Sequence, residues 1–297
     1  MLTILHISDL HFGPPFHERV GESLLRLAHE LEPDVVVASG DFTQRAREEQ
    51  FRQAREYLDR LPPVPLVVTP GNHDVPLYRV AERLFDPYRH YTRYISEELD
   101  TVTRVEGAVI VALNSTSPRT AITNGRIRRW QLEFARDAFA GTPPETLRIL
   151  VSHHHFAPPP DFEGAHPMPQ AKRALDAFTA MRVDLVLGGH LHRAYIGNSL
   201  DVYSGRDREH GIVIVQSGTS TSRRGRARER EKNTFNLLRV DQRSIRVTHY
   251  MHFDDAEGFL TTSRHIFFRG GRPTLPGEEV DARDYSEVDL GDLSLPS

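Results

Sequence analysis

An α/β fold follows from features that recur along this 297-residue chain. Short, continuously apolar runs alternate with longer segments of helical periodicity, and each run ends on polar residues beside glycine or proline. Strands buried on both faces read this way, and strands joined through helices pair in parallel. Such crossovers bring the strand ends to one edge of the sheet, where open α/β sheets bind ligands.

The first strand is expected over Thr3–Ser8, running into Asp9-Leu10-His11-Phe12-Gly13. Asp9 and His11 are two apart, so extended chain would put both on one face within reach of one ion. Val20, Leu24, Leu27, Ala28 and Leu31 recur at helical spacing and predict a helix from about 16 to 31, broken by Pro33 and Asp34. Val35–Ala38 is a second strand, closed by Ser39-Gly40-Asp41. A second helix is expected over 48–61, with Phe51, Ala54, Tyr57, Leu58 and Leu61 on one side. Pro65–Val68 is the third strand, and Gly71-Asn72-His73-Asp74 falls on the loop at its end. Alone, this stretch could be only a turn. Past a buried strand, an amide oxygen suits a hard cation and an imidazole suits acid–base work.

Residues 76–100 read as mainly helical cover. Ala108–Leu113 is the next strand, followed by the polar loop Asn114–Pro118, a turn at Gly125 and a helix over Arg129–Phe139. Leu147–Val151 is a strand that leads into His153-His154-His155. Adjacent side chains cannot all face one way in extended chain, so one or two of these should point inward and the rest stack or face water. The stiff segment from Pro158 to about Pro169 either shapes a pocket or merely connects. A helix over 170–181 and a strand over 183–187 precede Gly188-Gly189-His190-Leu191-His192, which repeats the two-apart spacing. The paired glycines allow a close backbone approach or a strained turn.

Ile212–Gln216, Thr234–Val240 and Ser244–His252 read as later, antiparallel strands. The arginine-rich run 222–232 reads as a solvated loop, or as one from which Arg223 or Arg224 reaches an anionic substrate. The domain is expected to span 1–268, and 269–297, rich in Gly, Pro, Asp and Glu, to be a loosely packed tail.

Composition limits the chemistry. A net charge of -4 gives no support for non-specific nucleic-acid binding, although a local basic patch remains open. There is no cysteine, so any metal must be held by oxygen and imidazole nitrogen. No apolar run is long enough for a membrane span, and the first residues lack a signal-peptide layout, so a cytoplasmic enzyme is expected. The composition leaves oligomeric state open.

Collected in order, the strand-end donors are Asp9, His11, Asp41, Asn72, one of His153–His155, His190 and His192. Seven groups are too many for one ion that must also take substrate, but they suffice for two. Two ions roughly 3.5–4 Å apart clamp the attacking and leaving oxygens of a phosphoryl displacement and activate a water. Mixed imidazole and carboxylate donors favour manganese, iron or zinc.

In this order, Asp9-x-His11, Gly40-Asp41, Gly71-Asn72-His73-Asp74, His153 and Gly189-His190-x-His192 resemble the calcineurin-like metallophosphoesterase family. The resemblance covers about residues 3–217 and implies a four-layer αββα sandwich, two mixed β-sheets flanked by helices. It implies that Asp9, His11, Asp41 and His192 hold one ion. Asp41, Asn72, His153 and His190 would hold the other, with Asp41 bridging and a hydroxide between the metals as nucleophile. His73 would protonate the leaving oxygen. His154 is the alternative ligand and is otherwise expected at the substrate, with Arg223 and Arg224.

His6-Ile7-Ser8-Asp9-Leu10-His11, the paired histidines and Gly218–Arg224 look most like the bacterial cyclic-nucleotide phosphodiesterase and glycerophosphodiesterase branch. A small phosphodiester is then the expected substrate. The alternatives within the family are a nuclease, a phosphomonoesterase or a nucleotide pyrophosphatase. A non-catalytic scaffold, like the retromer subunit of this fold, would be expected to lose ligands that are all filled here.

Overall fold

The computed structural model describes residues 1–120, 124–158, 166–203, 211–226, 229–230, 232–254 and 258–269. Its strands form two six-stranded mixed sheets packed face to face. The first runs β12(Gly258–Phe268)-β11(Ser244–Phe253)-β10(Thr234–Val240)-β1(Leu2–Ile7)-β2(Val35–Ala38)-β3(Leu66–Val68). The second runs β4(Thr101–Val105)-β5(Ala108–Ala112)-β6(Leu147–Val151)-β7(Leu185–Gly188)-β9(Val213–Gln216)-β8(Tyr195–Asn198). Helices α1(Glu18–Glu30) and α2(Glu48–Leu58) cover the first sheet, and α5(Arg129–Phe139) and α6(Ala171–Ala180) cover the second.

Alternation along each strand builds the layers. Ile4, Val35, Val37 and Val67 face Ile110, Ile149, Leu185 and Val215 across the inter-sheet core. Their neighbours Leu5, Ile7, Val36 and Ala38 face Leu24, Phe51 and Ala54 of α1 and α2. Val109, Val111 and Leu150 face Ala135, Phe139 and Phe178 of α5 and α6. A strand that packs on both faces is apolar at nearly every position, which is why β2 and β5 are continuous apolar runs and β1 departs from one only at Thr3 and His6. Each fully buried leucine, isoleucine or phenylalanine contributes about 1.5–3 kcal/mol.

The expected αββα sandwich is present: the parallel strands divide between its two sheets, β1-β2-β3 and β5-β6-β7-β9, so the strand ends meet at one end. Two other expectations change. Strand β9 pairs parallel to β7 and only its β8 partner is antiparallel, whereas β10 and β11 are antiparallel as expected. Residues 76–100 contain two short helices, α3(Val80–Phe85) and α4(Arg89–Tyr94), with α3 burying none of its residues.

Strands β4, β8 and β12 were not anticipated. All lie at sheet edges, where half-exposed residues replace the apolar run. Strand β4 pairs with β5 through a turn at Glu106-Gly107, with Gly107 at φ 78°. Most of the expected tail, and the centre of the expected 158–169 segment, lie outside the described residues. Among the described residues, no helix is long and apolar enough to cross a membrane.

Candidate metal centre

The loops after β1 and β2 continue the parallel pairing beyond the strands. Asp9 N–H donates to Gly40 O at 3.0 Å, His11 N–H to Asp41 O at 2.9 Å and Phe12 N–H to Phe42 O at 2.8 Å. Within this ladder the chain is not extended. Asp9, His11 and Asp41 have φ of 54°, 51° and 56°, and His190 and His192 have φ of 77° and 54°. The two-apart spacing therefore brings each pair together through left-handed turns, not through the extended alternation expected from sequence. Each such residue costs on the order of 1 kcal/mol, and strain of this kind collects at functional sites.

The turned side chains form a buried cluster. Ligand atoms of Asp9, His11, Asp41 and His192 all lie within 4.8 Å of one another. His192 Nε2 is 3.1 Å from Asp9 Oδ1 and 3.1 Å from His11 Nε2. His11 Nε2 is 3.7 Å from Asp9 Oδ1 and 3.6 Å from Asp41 Oδ2. A second set adjoins it: Asn72 Oδ1 lies 3.2 Å from His153 Nε2 and 2.9 Å from His190 Nδ1. His153 Nε2 is also 3.4 Å from Asp41 Oδ2, so one carboxylate oxygen faces both sets.

The hydrogen bonds around the cluster leave its inner atoms bare. Asp9 Oδ2 accepts from Ser8 Oγ at 2.6 Å and from His190 N–H at 3.0 Å. Asp41 Oδ1 accepts from His73 N–H at 2.7 Å. The other oxygens, Asp9 Oδ1 and Asp41 Oδ2, are buried without a hydrogen-bond partner. His153 Nδ1 donates to Ser39 O at 2.8 Å and His192 Nδ1 to Arg224 O at 3.1 Å. A carbonyl only accepts, so each ring carries a proton on Nδ1 and turns Nε2 toward a carboxylate oxygen. A ring nitrogen facing a bare carboxylate oxygen needs a cation between them, a proton or a metal ion. The donor set fits two metal ions for this reason.

Electrostatics agree. Burial opposes charge on Asp9 and Asp41, but the surrounding imidazoles outweigh it and hold both carboxyls well below their usual range. Burial also opposes charge on His153, yet Asp41 lifts its pKa to about 9. The field in the cluster attracts positive charge, and a metal competes with that proton.

His73 lies beside the cluster without joining it. Its ring meets that of His11 edge-on at 4.8 Å, and its Nδ1 donates to Gln44 O at 2.9 Å, leaving Nε2 free. Burial lowers its pKa. His154 is fully buried with Nδ1 on Ser115 Oγ at 2.8 Å, and its ring packs on His190 at 4.6 Å. The structure thus brings His153, and not His154, to Asp41 and Asn72. None of the three adjacent histidines faces water: His155 is also buried and stacks on His190.

Arg224 reaches the rim, with Nη1 on Gln44 Oε1 at 2.8 Å, while the Arg223 side chain is exposed and its N–H donates to Pro15 O. The arginine-rich run is not simply solvated. Glu229 is buried, accepting from Ala194 N–H at 2.6 Å and Thr234 Oγ1 at 2.8 Å, and so pins the chain just past His192.

Several residues named within motifs, but given no supporting role by the sequence, hold the centre together. Asp74 accepts from the N–H groups of Phe42, Thr43 and Gly71 at 3.2, 2.9 and 2.9 Å, tying the Asp41 loop to the Asn72 loop. Thr219, Ser220 and Thr221 hold the backbone of Asp9, Ser8 and Leu10 at 2.7, 3.0 and 3.0 Å. Hydroxyls clustered in Gly218–Ser222 were the available signal for the second group. Gly189 is required because a Cβ there would overlap Ser8 Oγ and lie 2.5 Å from Asp9 Oδ2.

The profile of the calcineurin-like phosphoesterases matches residues 2–194, nearly two thirds of the chain and all the cluster. The chain belongs to that family. A glycerophosphodiester phosphodiesterase, GpdQ of Enterobacter lignolyticus (strain SCF1), is 37% identical over 84 residues, covering 25% of this chain and 30% of that protein. This chain therefore spans less than a third of the curated relative it matches. Among solved structures, the purple acid phosphatase PPD1 of yellow lupin superposes with a TM-score of 0.64 at 13% identity, covering 89% of this chain and 53% of that one. PhoD superposes with a TM-score of 0.64 at 13% identity, covering 91% and 73%. A dimetal phosphatase from Danio rerio gives 0.55 at 11% identity, covering 88% and 98%. These similarities show the shared calcineurin-like phosphoesterase fold.

Proposed function

We propose that residues 1–268 form a dinuclear metal-dependent phosphohydrolase that cleaves small phosphodiesters. The observation that carries this reading is Asp41 Oδ2, bare, buried and 3.6 and 3.4 Å from the Nε2 atoms of His11 and His153. One carboxylate oxygen shared by two donor sets is the arrangement a two-ion centre needs.

In this reading Asp9, His11, Asp41 and His192 would hold one ion, and Asp41, Asn72, His153 and His190 the other. Manganese, iron or zinc suits oxygen and imidazole donors. When bound, the ions supply Lewis acidity to the phosphoryl group and lower the pKa of water. The chain's own residues do the rest. Ser39 O and Arg224 O orient His153 and His192, and Ser8 holds Asp9. His73, fixed by Gln44 O, presents Nε2 to the leaving oxygen and, once protonated on Nε2 as the imidazolium, would deliver that proton there and return to the neutral ring. Arg224 meets the phosphate at the rim, and His154 supports the wall behind His190. The partial similarity to a glycerophosphodiester phosphodiesterase favours diesters over monoesters and fits the cyclic-nucleotide and glycerophosphodiester branch.

Manganese-loaded protein is expected to hydrolyse bis(p-nitrophenyl) phosphate, a glycerophosphodiester or a cyclic nucleotide faster than p-nitrophenyl phosphate. A preference for the monoester would make it a phosphatase. Inactivity on all of them, with two metals bound, would contradict the reading.

A further inference from the structure

Apart from the metal centre, the structure holds a cavity of about 290 Å³, near the lower end of the usual size for a small-molecule site. Tyr88 and Trp130 give it aromatic walls, and Asp100, Arg119 and Arg128 line it with charged groups. None of the proposed metal ligands lines it, nor does His73. The loop after β5 stands between the two places. Asn114 and Ser117 of that loop line the cavity, while the buried Ser115 Oγ meets His154 Nδ1 at 2.8 Å on the wall of the metal centre.

The charged groups are only partly satisfied. Asp100 Oδ1 accepts from Asn114 N–H at 2.9 Å and from Gln131 Nε2 at 2.6 Å. Asp100 Oδ2 has no hydrogen-bond partner among the described residues. Burial raises the pKa of this carboxyl, and the charge of Arg128 is among the influences that lower it. Each guanidinium makes one long bond to a backbone carbonyl: Arg128 Nη2 to Thr116 O and Arg119 Nη2 to Leu84 O, both at 3.4 Å. Neither has a carboxylate within ion-pair distance among the described residues. Most donors of both forks are therefore free for a ligand. Trp130 is 53% exposed despite its large apolar face. The Tyr88 ring is held in place, its hydroxyl 2.6 Å from Thr116 Oγ1.

These groups select a ligand by complementarity. Two unmatched guanidiniums suit a phosphate monoester, which carries a charge of about -1.5 to -2 near neutral pH, better than a carboxylate with its single charge. A free carboxylate oxygen suits an N–H donor. Aromatic walls suit a flat ring. A nucleoside monophosphate combines all three. We propose that this cavity binds a nucleoside monophosphate, with its base against Tyr88 and Trp130, a base N–H on Asp100 Oδ2 and its phosphate on Arg119 and Arg128. The site is separate from the metal centre and does not depend on the phosphodiesterase reading.

Trp130 is the only tryptophan of the chain, so its fluorescence reports on this cavity alone. Adenosine 5′-monophosphate titrated into the full chain is expected to change that fluorescence saturably. Its Kd should be the same for the manganese-loaded chain and after EDTA has removed the metal. Adenosine, which lacks the phosphate, should bind about tenfold more weakly or worse, as the loss of a charge-assisted contact would give. Purine riboside 5′-monophosphate, which lacks the amino group of the base, should also bind more weakly. Arg119→Ala and Arg128→Ala should each weaken the nucleotide about tenfold and leave adenosine unaffected, a discrimination that a merely loosened cavity would not show. No saturable response to the nucleotide, equal affinity for adenosine or for purine riboside 5′-monophosphate, or nucleotide binding unchanged in both arginine variants would overturn the proposal. A response that disappears with the metal would place the nucleotide at the metal centre and overturn it as well.

Discussion

Asp41→Ala is expected to lose both metal ions and to fall below about a thousandth of wild-type turnover on a phosphodiester. Metal ions supply several kcal/mol of charge stabilisation in such a reaction, and about 4 kcal/mol corresponds to roughly 10³-fold. Asp41 is the residue whose loss affects both sites, because its Oδ2 faces His11 and His153 together. Removing His190 or His192 would strip one site only. The variant should still fold. Asp41 repels the Asp74 carboxyl, which burial and that charge push up to about 7, but it also accepts from His73 N–H and is held charged by the imidazoles around it, so its removal costs some stability. A cooperative urea transition in metal-free Asp41→Ala, at a lower midpoint than in metal-free wild type, would separate a lost site from a lost fold. Two metals and wild-type turnover in the variant would show that the centre lies elsewhere.

His73→Ala is expected to keep both metals and to slow turnover by about 10²–10⁴-fold, the usual worth of a general acid. The structure separates His73 from the ligands. Its Nδ1 is committed to Gln44 O and its Nε2 is free, while the Nε2 atoms of the proposed ligands His153 and His192 face carboxylates. The effect should depend on the leaving group: near the lower end for p-nitrophenolate and near the upper end for an alkoxide, which needs the proton more. An equal effect on both esters would make His73 a contact to the phosphate rather than an acid. Metal loss in His73→Ala would show that its backbone bond to Asp41 Oδ1 had been disturbed with the side chain.

That these donor side chains would meet was legible because each stands just past a mostly apolar strand, and the fold puts those strand ends together. His153, the first histidine after β6, lies at Asp41 and Asn72 for that reason. How the donors converge was not legible. Asp and His enter the left-handed region more readily than most residues, but nothing local marks Asp9, His11, Asp41, His190 and His192 as the ones that do. The turns at Asp9, His11 and Asp41 are fixed by the ladder to Gly40–Phe42 and by the hydroxyls of Thr219 and Thr221, more than two hundred residues from Asp9, and that at His190 by its N–H bond to Asp9 Oδ2. Edge strands β4, β8 and β12 were missed because an edge residue needs only one buried face. Gln44 and Glu229 gave no signal, since their roles depend on contacts with Arg224 and Ala194 from distant segments.

The claim on which the rest depends is that two ions share Asp41. The direct measurement is metal content per chain together with the electron paramagnetic resonance spectrum of the manganese-loaded protein. Two manganese ions per chain, with the exchange-coupled spectrum of ions bridged by a common ligand, is the predicted result. One ion per chain, or two with the spectrum of isolated manganese, would contradict it.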